Sequence, residues 1–176
     1  MRADEIAFSS DRLETLTYGP ADFSASMQLP SLSVRNDYNY PGDIFHYVLF
    51  KLAVAARAAG LQVIDGPYLA IHDVEGYRAA ASRAAALGYD GKWVLHPVQI
   101  EPANDTFTPS QHDFDKAALM LDAYRQATEV ERKGAVMLGD EMIDEASRKI
   151  ALQFYARGIA AGLKPSPVQR EESSAG

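Results

Sequence analysis

A chain of 176 residues that is 47% hydrophobic and 23% charged has the make-up of a globular protein with enough length for one buried core, so a single domain is the starting expectation. Its 24 acidic against 17 basic residues give a formal charge of -7, which repels polyphosphate backbones; with no basic patch to compensate, nucleic acid is excluded as the expected partner. There is no cysteine, hence no disulfide framework, thiolate metal site or cysteine nucleophile; MRADEIAFSSDRLE lacks the order of a signal peptide and no apolar run reaches the roughly 20 residues that cross a bilayer, so a cytoplasmic protein without membrane contact is expected.

The chain opens on a helical lead-in at Ala3 to Phe8 and a first short apolar segment, Glu14 to Tyr18. Asp43 as N-cap, Gly60 as stop, and Phe45, Val48, Leu49, Leu52, Ala53 and Ala56 at helical spacing predict a helix from Ile44 to about Ala59. A second apolar segment, Leu61 to Ile64, follows. Asp73 and Gly88 bracket a helix from about Val74 to Leu87, and a third apolar segment runs from Lys92 to Leu95. This strand and helix alternation predicts parallel strands joined by crossover helices, in an open doubly wound sheet or a (β/α)8 barrel. Beyond Pro109, Ser110 with Asp113 resembles a capping box for a helix carrying Phe114, Ala117, Ala118, Leu121 and Tyr124. After a polar break at Glu129 to Gly134, a last helix is predicted from about Glu141 to Ala160, and the tail from Lys164, KPSPVQREESSAG, reads as disordered.

Each predicted strand ends in polar or turn-forming residues: Asp22 after the first, Asp65, Gly66 and Pro67 after the second, His96 and Pro97 after the third. In parallel α/β architectures ligands bind at the carboxyl ends of the strands, and three such endings in register point to a site there. Each has a plainer reading too: Asp22 as a turn or helix N-cap residue, Asp65-Gly66-Pro67 as a turn, His96 as a hydrogen-bonded rim residue held extended by the proline after it. A lone carboxylate among small neighbours such as Ala21, Ser24, Ala25 and Ser26 suits Mg²⁺, a hard ion that keeps several waters and takes one or two protein carboxylates. The four histidines form no HExxH, and no GxGxxG, GxxxxGK[ST] or GxSxG motif occurs, which disfavours a zinc site and takes most of the weight from nucleotide dehydrogenases, P-loop enzymes and serine hydrolases. On the last helix Asp144 lies off the apolar stripe, beside Glu145, Arg148 and Lys149, as on a solvated face.

Four stretches, TLTYGPADFSASM, VAARAAGLQVIDGPY, EGYRAAASRAAALGYDGKWVLHPVQIEPANDTFTP and MLGDEMIDEASRKIA, resemble in order the HpcH/HpaI aldolase/citrate lyase beta-subunit-like family, in its malyl-CoA and citramalyl-CoA lyase branch. The resemblance implies the last three strands of a TIM barrel in residues 1–108, a helical lid extension in 109–163, and a tail in 164–176. It further implies Mg²⁺ as cofactor with Asp22 as metal ligand. Asp144 becomes the catalytic acid that the lid carries to a neighbouring subunit of a homo-oligomer, and Asp65, Gly66, Pro67, His96 and Pro97 lie near the CoA arm. The substrates implied are an acyl-CoA and an alpha-keto acid. A complete barrel takes about 200 residues or more, so the family's glutamate metal ligand, its substrate-binding arginine and its CoA-phosphate contacts are expected to be missing, and the chain alone is expected to be weakly active or inactive. A non-catalytic or split-gene partner subunit and a malyl-CoA thioesterase are the alternative readings.

Overall fold

The computed structural model describes residues 2–30, 41–130, 132 and 134–166. These fall into two compact units, Met1–Phe107 and Thr108–Gly176.

In the first unit, α1 (Ala3–Ala7) leads to β1 (Thr15–Thr17) and then directly to a short helix, α2 (Pro20–Ser26). Next come α3 (His46–Ala58), β2 (Gln62–Asp65), α4 (Val74–Ala86), β3 (Gly91–Lys92), a 3-10 turn at Pro97–Gln99 and α5 (Ile100–Phe107). The strands form a parallel sheet in the order β1-β2-β3, with Leu16 opposite Val63 and Asp65 opposite Lys92. The crossovers are helical, as the sequence pattern predicts. Asp43 Oδ1 accepts the Phe45 amide at 2.9 Å ahead of α3, and Asp73 Oδ1 accepts the Gly76 amide at 3.0 Å at the start of α4. Both helices close through a Schellman motif: Gly60 at φ +71° lets the Leu61 amide reach Ala56 O at 2.8 Å, and Tyr89 reaches Ala84 O in the same way. The core under the sheet is Leu16, Tyr18, Phe45, Leu49, Ala53, Ala56, Val63 and Tyr89.

The third strand differs from expectation. Only Gly91 and Lys92 pair with β2, because β2 itself turns away at Gly66; Trp93, Val94 and Leu95, expected inside a strand, are 50%, 40% and 44% exposed. Two helices were not predicted: α2, whose seven residues are opened by a proline, and α5, which contains Pro102 and Asn104. Short helices leave little periodicity to read.

In the second unit, α6 (Gln111–Glu129) starts at the predicted cap, Ser110 Oγ accepting the Asp113 amide at 3.1 Å and donating to Asp113 Oδ2 at 2.7 Å. The last helix does not begin at Glu141. Residues 136–143 form a hairpin of β4 (Val136–Leu138) and β5 (Glu141–Ile143), and α7 (Glu145–Ala160) follows. The Gly139-Asp140 loop explains this: Gly139 has φ +59° and Asp140 does not share a positive φ, the pattern of a type II′ turn, which matches the twist of paired strands. Buried Ile143, Ala117, Met120 and Ala151 form the small core. Lys164 and Ser166, at the start of the expected disordered tail, are held by α6: Gln111 Nε2 donates to Lys164 O at 2.9 Å, and the Ser166 amide donates to Asp115 Oδ1 at 2.9 Å. Residues 167–176 of that tail lie outside the described residues.

α6 and α7 approach closely where Phe114 stacks on Tyr155, ring centroids 5.0 Å apart. A Cβ added at Gly158 would sit 2.1 Å from the buried Phe114 ring. Gly158→Ala is therefore expected to destabilise this unit by about 1–3 kcal/mol through overpacking, outweighing the helix propensity it gains, as read by urea denaturation.

Candidate functional site

The parallel sheet brings the carboxyl ends of its strands to one side, and with them Asp22, the Asp65-Gly66-Pro67 turn and the His96-Pro97 step. Gly19, extended at φ -100°, is the N-cap of α2; Pro20 occupies the first helical position, where its missing N–H costs nothing; Asp22 falls in the first turn, where the helix dipole favours a carboxylate. So Asp22 is inside the helix and is not its cap. Its side chain is exposed and folds back over the end of β1, Oδ2 lying 3.4 Å from where a Cβ on Gly19 would be. Among the described residues it has no hydrogen bond or ion pair, and Ala21, Ala25 and Ser26 around it are exposed and small.

Asp65 is spent differently. Its side chain and that of Lys92 are each 3% exposed, and Lys92 Nζ donates to Asp65 Oδ2 at 2.6 Å and to Gly66 O at 2.7 Å. The other carboxylate oxygen, Oδ1, accepts the Gly66 amide at 2.9 Å. Both oxygens of Asp65 are thus engaged inside the protein, which corrects the expectation that this carboxylate faces a cofactor; of that turn it is Pro67 that is half-buried and reaches outward. Burial pulls the Lys92 ammonium below the ordinary lysine value, and the Asp65 charge opposes it. Lys92 Nζ also lies 5.8 Å from the centroid of the Tyr77 ring, whose hydroxyl donates to Trp93 O at 3.2 Å; burial and, after it, the Asp65 charge push that hydroxyl up to about 12.

His96 is extended, at φ -148° and ψ 146°, as a residue before proline should be, and its Nδ1 accepts the Val98 amide at 3.2 Å. In the neutral ring the proton therefore sits on Nε2. The ring is exposed and packs edge to face with His72, centroids 5.7 Å apart. Behind it Gln99, fully buried, ties the strand ends together: Oε1 accepts the Leu95 amide at 2.9 Å and Nε2 donates to Tyr68 O at 3.2 Å. Sequence reasoning missed Lys92, Tyr77, Gln99 and His72. The available signal was a lysine on a two-residue strand followed by a buried-type glutamine, both inside GYDGKWVLHPVQI.

In the second unit Asp144 is the N-cap of α7, not a residue on its solvated face. Its Oδ1 accepts both the amide of Ser147 at 2.9 Å and the Ser147 hydroxyl at 3.1 Å. These bonds, the backbone one first, hold the carboxyl below the usual aspartate range, and the Arg148 guanidinium brings neighbouring Glu145 down to about 2.

A metal fits these residues in part. Among the described residues no group of three His, Cys, Asp or Glu could hold an ion by itself, but an exposed carboxylate with open space around it can serve Mg²⁺, which fills most of its octahedron with water and substrate oxygens.

A parallel α/β unit with a carboxylate standing over its strand ends, followed by a unit of helices and a hairpin, defines the general class. The HpcH/HpaI aldolase/citrate lyase family profile matches residues 1–97, and the chain belongs to that family. It is similar to the L-malyl-CoA/beta-methylmalyl-CoA lyase of Cereibacter sphaeroides, 36% identical over 158 residues that make up 84% of this chain and 49% of that enzyme. It is also similar to the citrate lyase subunit beta of Haemophilus influenzae, 33% identical over 163 residues, 90% of this chain and 53% of the other. Among solved structures it resembles the CitE protein of Mycobacterium tuberculosis in complex with magnesium, acetoacetate and coenzyme A, with TM-score 0.70, 30% identity and coverage of 89% and 55% of the two chains. The chain spans about half the length of the curated relatives it matches.

Removing one partner of the buried pair leaves an uncompensated charge: Lys92→Met is expected to cost about 3–5 kcal/mol of stability, whereas Lys92→Met with Asp65→Leu is expected to recover most of it in the same denaturation measurement. For Asp144 and Glu145 the sign is that of depressed carboxylates: their contribution to α7 is complete above their ordinary values of 3.8 and 4.5 and is lost as pH falls through the lower folded values. Circular dichroism and amide exchange should accordingly show α7 fraying at its N-terminus between about pH 4 and pH 2.

Proposed function

We propose that this protein performs, or contributes half of the machinery for, a Mg²⁺-dependent carbon–carbon lyase reaction on a 3-hydroxyacyl-CoA of the malyl-CoA or citramalyl-CoA type, giving an acyl-CoA and an alpha-keto acid. The observation that carries the reading is Asp22: in a chain of this family, an exposed carboxylate with no partner among the described residues stands at the carboxyl end of a parallel strand. In this reading β1, β2 and β3 are the last three strands of a (β/α)8 barrel, and the unit from Thr108 onward is a lid that acts on a neighbouring copy.

The chemistry must move protons and hold one developing charge. In condensation, a base removes a proton from the carbon next to the thioester, the resulting enolate attacks the keto carbon, and the alkoxide so formed takes up a proton to become the 3-hydroxyl; in cleavage the hydroxyl gives up its proton as the C–C bond breaks, and the departing enolate is protonated on carbon. When bound, Mg²⁺ supplies a Lewis acid for the keto-acid oxygens. Asp22 is the residue that would hold that ion. Asp144 moves the proton at carbon: like any aspartate it is ionised at neutral pH, and both Ser147 bonds fall on Oδ1, so Oδ2 is the oxygen left to take the proton. The cap that holds the side chain also fixes its aim, because the Ser147 bonds restrict its rotamers.

The decisive experiment follows Mg²⁺-dependent release of alpha-keto acid and acyl-CoA from malyl-CoA and citramalyl-CoA, with Asp22→Asn expected to abolish metal binding in a direct Mn²⁺ titration. Asn keeps the capping acceptor while losing the charge, so Asp144→Asn should remain folded, with at most a small fall in melting temperature, while turnover falls by about 10²–10⁴-fold. Free CoA in place of acyl-CoA would replace this reading by a thioesterase. Metal binding indifferent to Asp22 would remove it.

A second reading, a subunit that completes its site with another polypeptide, is favoured by one feature. Among the described residues the parallel sheet has two open edges, and parallel sheets are ordinarily covered, while Trp93, Val94 and Leu95 are exposed beside β3. Light scattering of the purified chain addresses it: a well-folded monomer counts against it.

A further inference from the structure

Resting on the reading of Asp22 as a metal ligand, we propose that Lys92 and Gly66 are positioning residues for Asp22: the lysine clamps the Asp65–Gly66 turn, and the turn, pressed against Tyr18 and Pro20, sets where α2 begins. The clamp has four parts. Lys92 Nζ bonds Asp65 Oδ2 and Gly66 O, the Gly66 amide bonds Asp65 Oδ1, and the Trp93 amide bonds Asp65 O at 3.0 Å. Every polar group of the Asp65 side chain and the carbonyl and amide of Gly66 are therefore fixed from within, under the Tyr77 ring.

The contact that passes this on runs from the Gly66 backbone to the Tyr18 carbonyl and the Pro20 ring. A Cβ at Gly66 would lie 2.1 Å from Tyr18 O and 2.4 Å from Pro20 Cδ, so the turn and the β1–α2 junction meet with room for a hydrogen atom and nothing larger. The Tyr18 amide donates to Ile64 O at 3.2 Å, which anchors the near side of the same junction. From Pro20 to Asp22 there is a single intervening residue inside one helical turn, and the Phe23 amide closes that turn on Gly19 O at 3.0 Å. A proline in the first helical position is stiff, so a shift of its ring moves the whole turn and carries the Asp22 carboxylate with it. Lys92 touches neither metal nor substrate in this account. Its work is mechanical, and it explains why a costly pair of charges is buried at the one place where the strand ends must keep a fixed height.

The test uses the full chain carrying Gly66→Ala, and separately the double variant Lys92→Met with Asp65→Leu, which keeps Gly66 and removes both charges together so that the fold survives. Two readouts are taken. In the metal-free protein, amide chemical shifts of Gly19, Asp22 and Phe23 and the exchange protection of Phe23 are expected to change, while Leu49, Ala53 and Ala56 amides in α3 stay as in the parent. In a Mn²⁺ titration the affinity is expected to fall by about 10- to 100-fold in both variants, as for other residues that orient a metal ligand. A folded variant whose Gly19–Phe23 amides do not move overturns the inference whatever the metal does. If those amides move but the parent binds Mn²⁺ no better than Asp22→Asn, the ligand role of Asp22 fails and the coupling of Lys92 and Gly66 to its position stands.

Discussion

Burying a lysine and an aspartate together is expensive. Each charge loses its water, and their mutual attraction repays the loss only where the remaining donors and acceptors are also satisfied. At the carboxyl ends of β2 and β3 that condition is met by a small closed set: Lys92 serves Asp65 and Gly66, Asp65 serves Lys92 and the Gly66 amide, and the Tyr77 ring covers the ammonium. A hydrophobic pair could fill the same volume, but it could not hold the Gly66 carbonyl. The turn that leaves β2 is thus specified by direction as well as by packing, and the loops above the sheet are laid against it.

The opposite end of the sheet is held by a different device. Arg57 on α3 donates to Leu61 O, Gly88 O and Asp90 Oδ1, and Asp90 Oδ2 accepts the Val63 amide. One cation there gathers the entries to β2 and β3, half exposed and in contact with water. The contrast is physical: at the entry end, charges remain hydrated and serve to staple loops; at the exit end, they are dry and serve to fix a turn beneath a candidate binding surface. Asp22, exposed on that surface in the first turn of α2 and without a partner among the described residues, is the carboxylate we propose as a metal ligand.

Much of both units can be read from the chain. Asp73 and Ser110 cap their helices as side-chain oxygens before apolar periodicity do, and Gly60 and Gly88 stop theirs at the residue named for it, because caps and left-handed glycines are local chemistry; Asp43, expected as the N-cap of α3, instead holds the turn before it, and Phe45 is the N-cap. The family, too, is legible, since it rests on long ordered stretches. What misled was likewise local in form and remote in cause. Asp65 before Gly-Pro has the look of an exposed turn, and nothing within four residues reveals Lys92, which is 27 positions away. Asp144 has the look of a helix-face residue until the Gly139-Asp140 loop turns the preceding segment into a hairpin and moves the helix start onto it.

The sequence by itself determined the alternation of strands and crossover helices, their caps, the absence of thiol chemistry, and the set of polar residues that gather where parallel strands end, because each depends on neighbours a few positions apart. Only the tertiary structure decided which of those residues face outward. Asp65, the last residue of β2, and Asp22, in the first turn of the helix after β1, are the same residue type, yet one is sealed under a lysine and the other stands open. That choice belongs to burial and to partners brought together across the sheet, which no local spacing encodes.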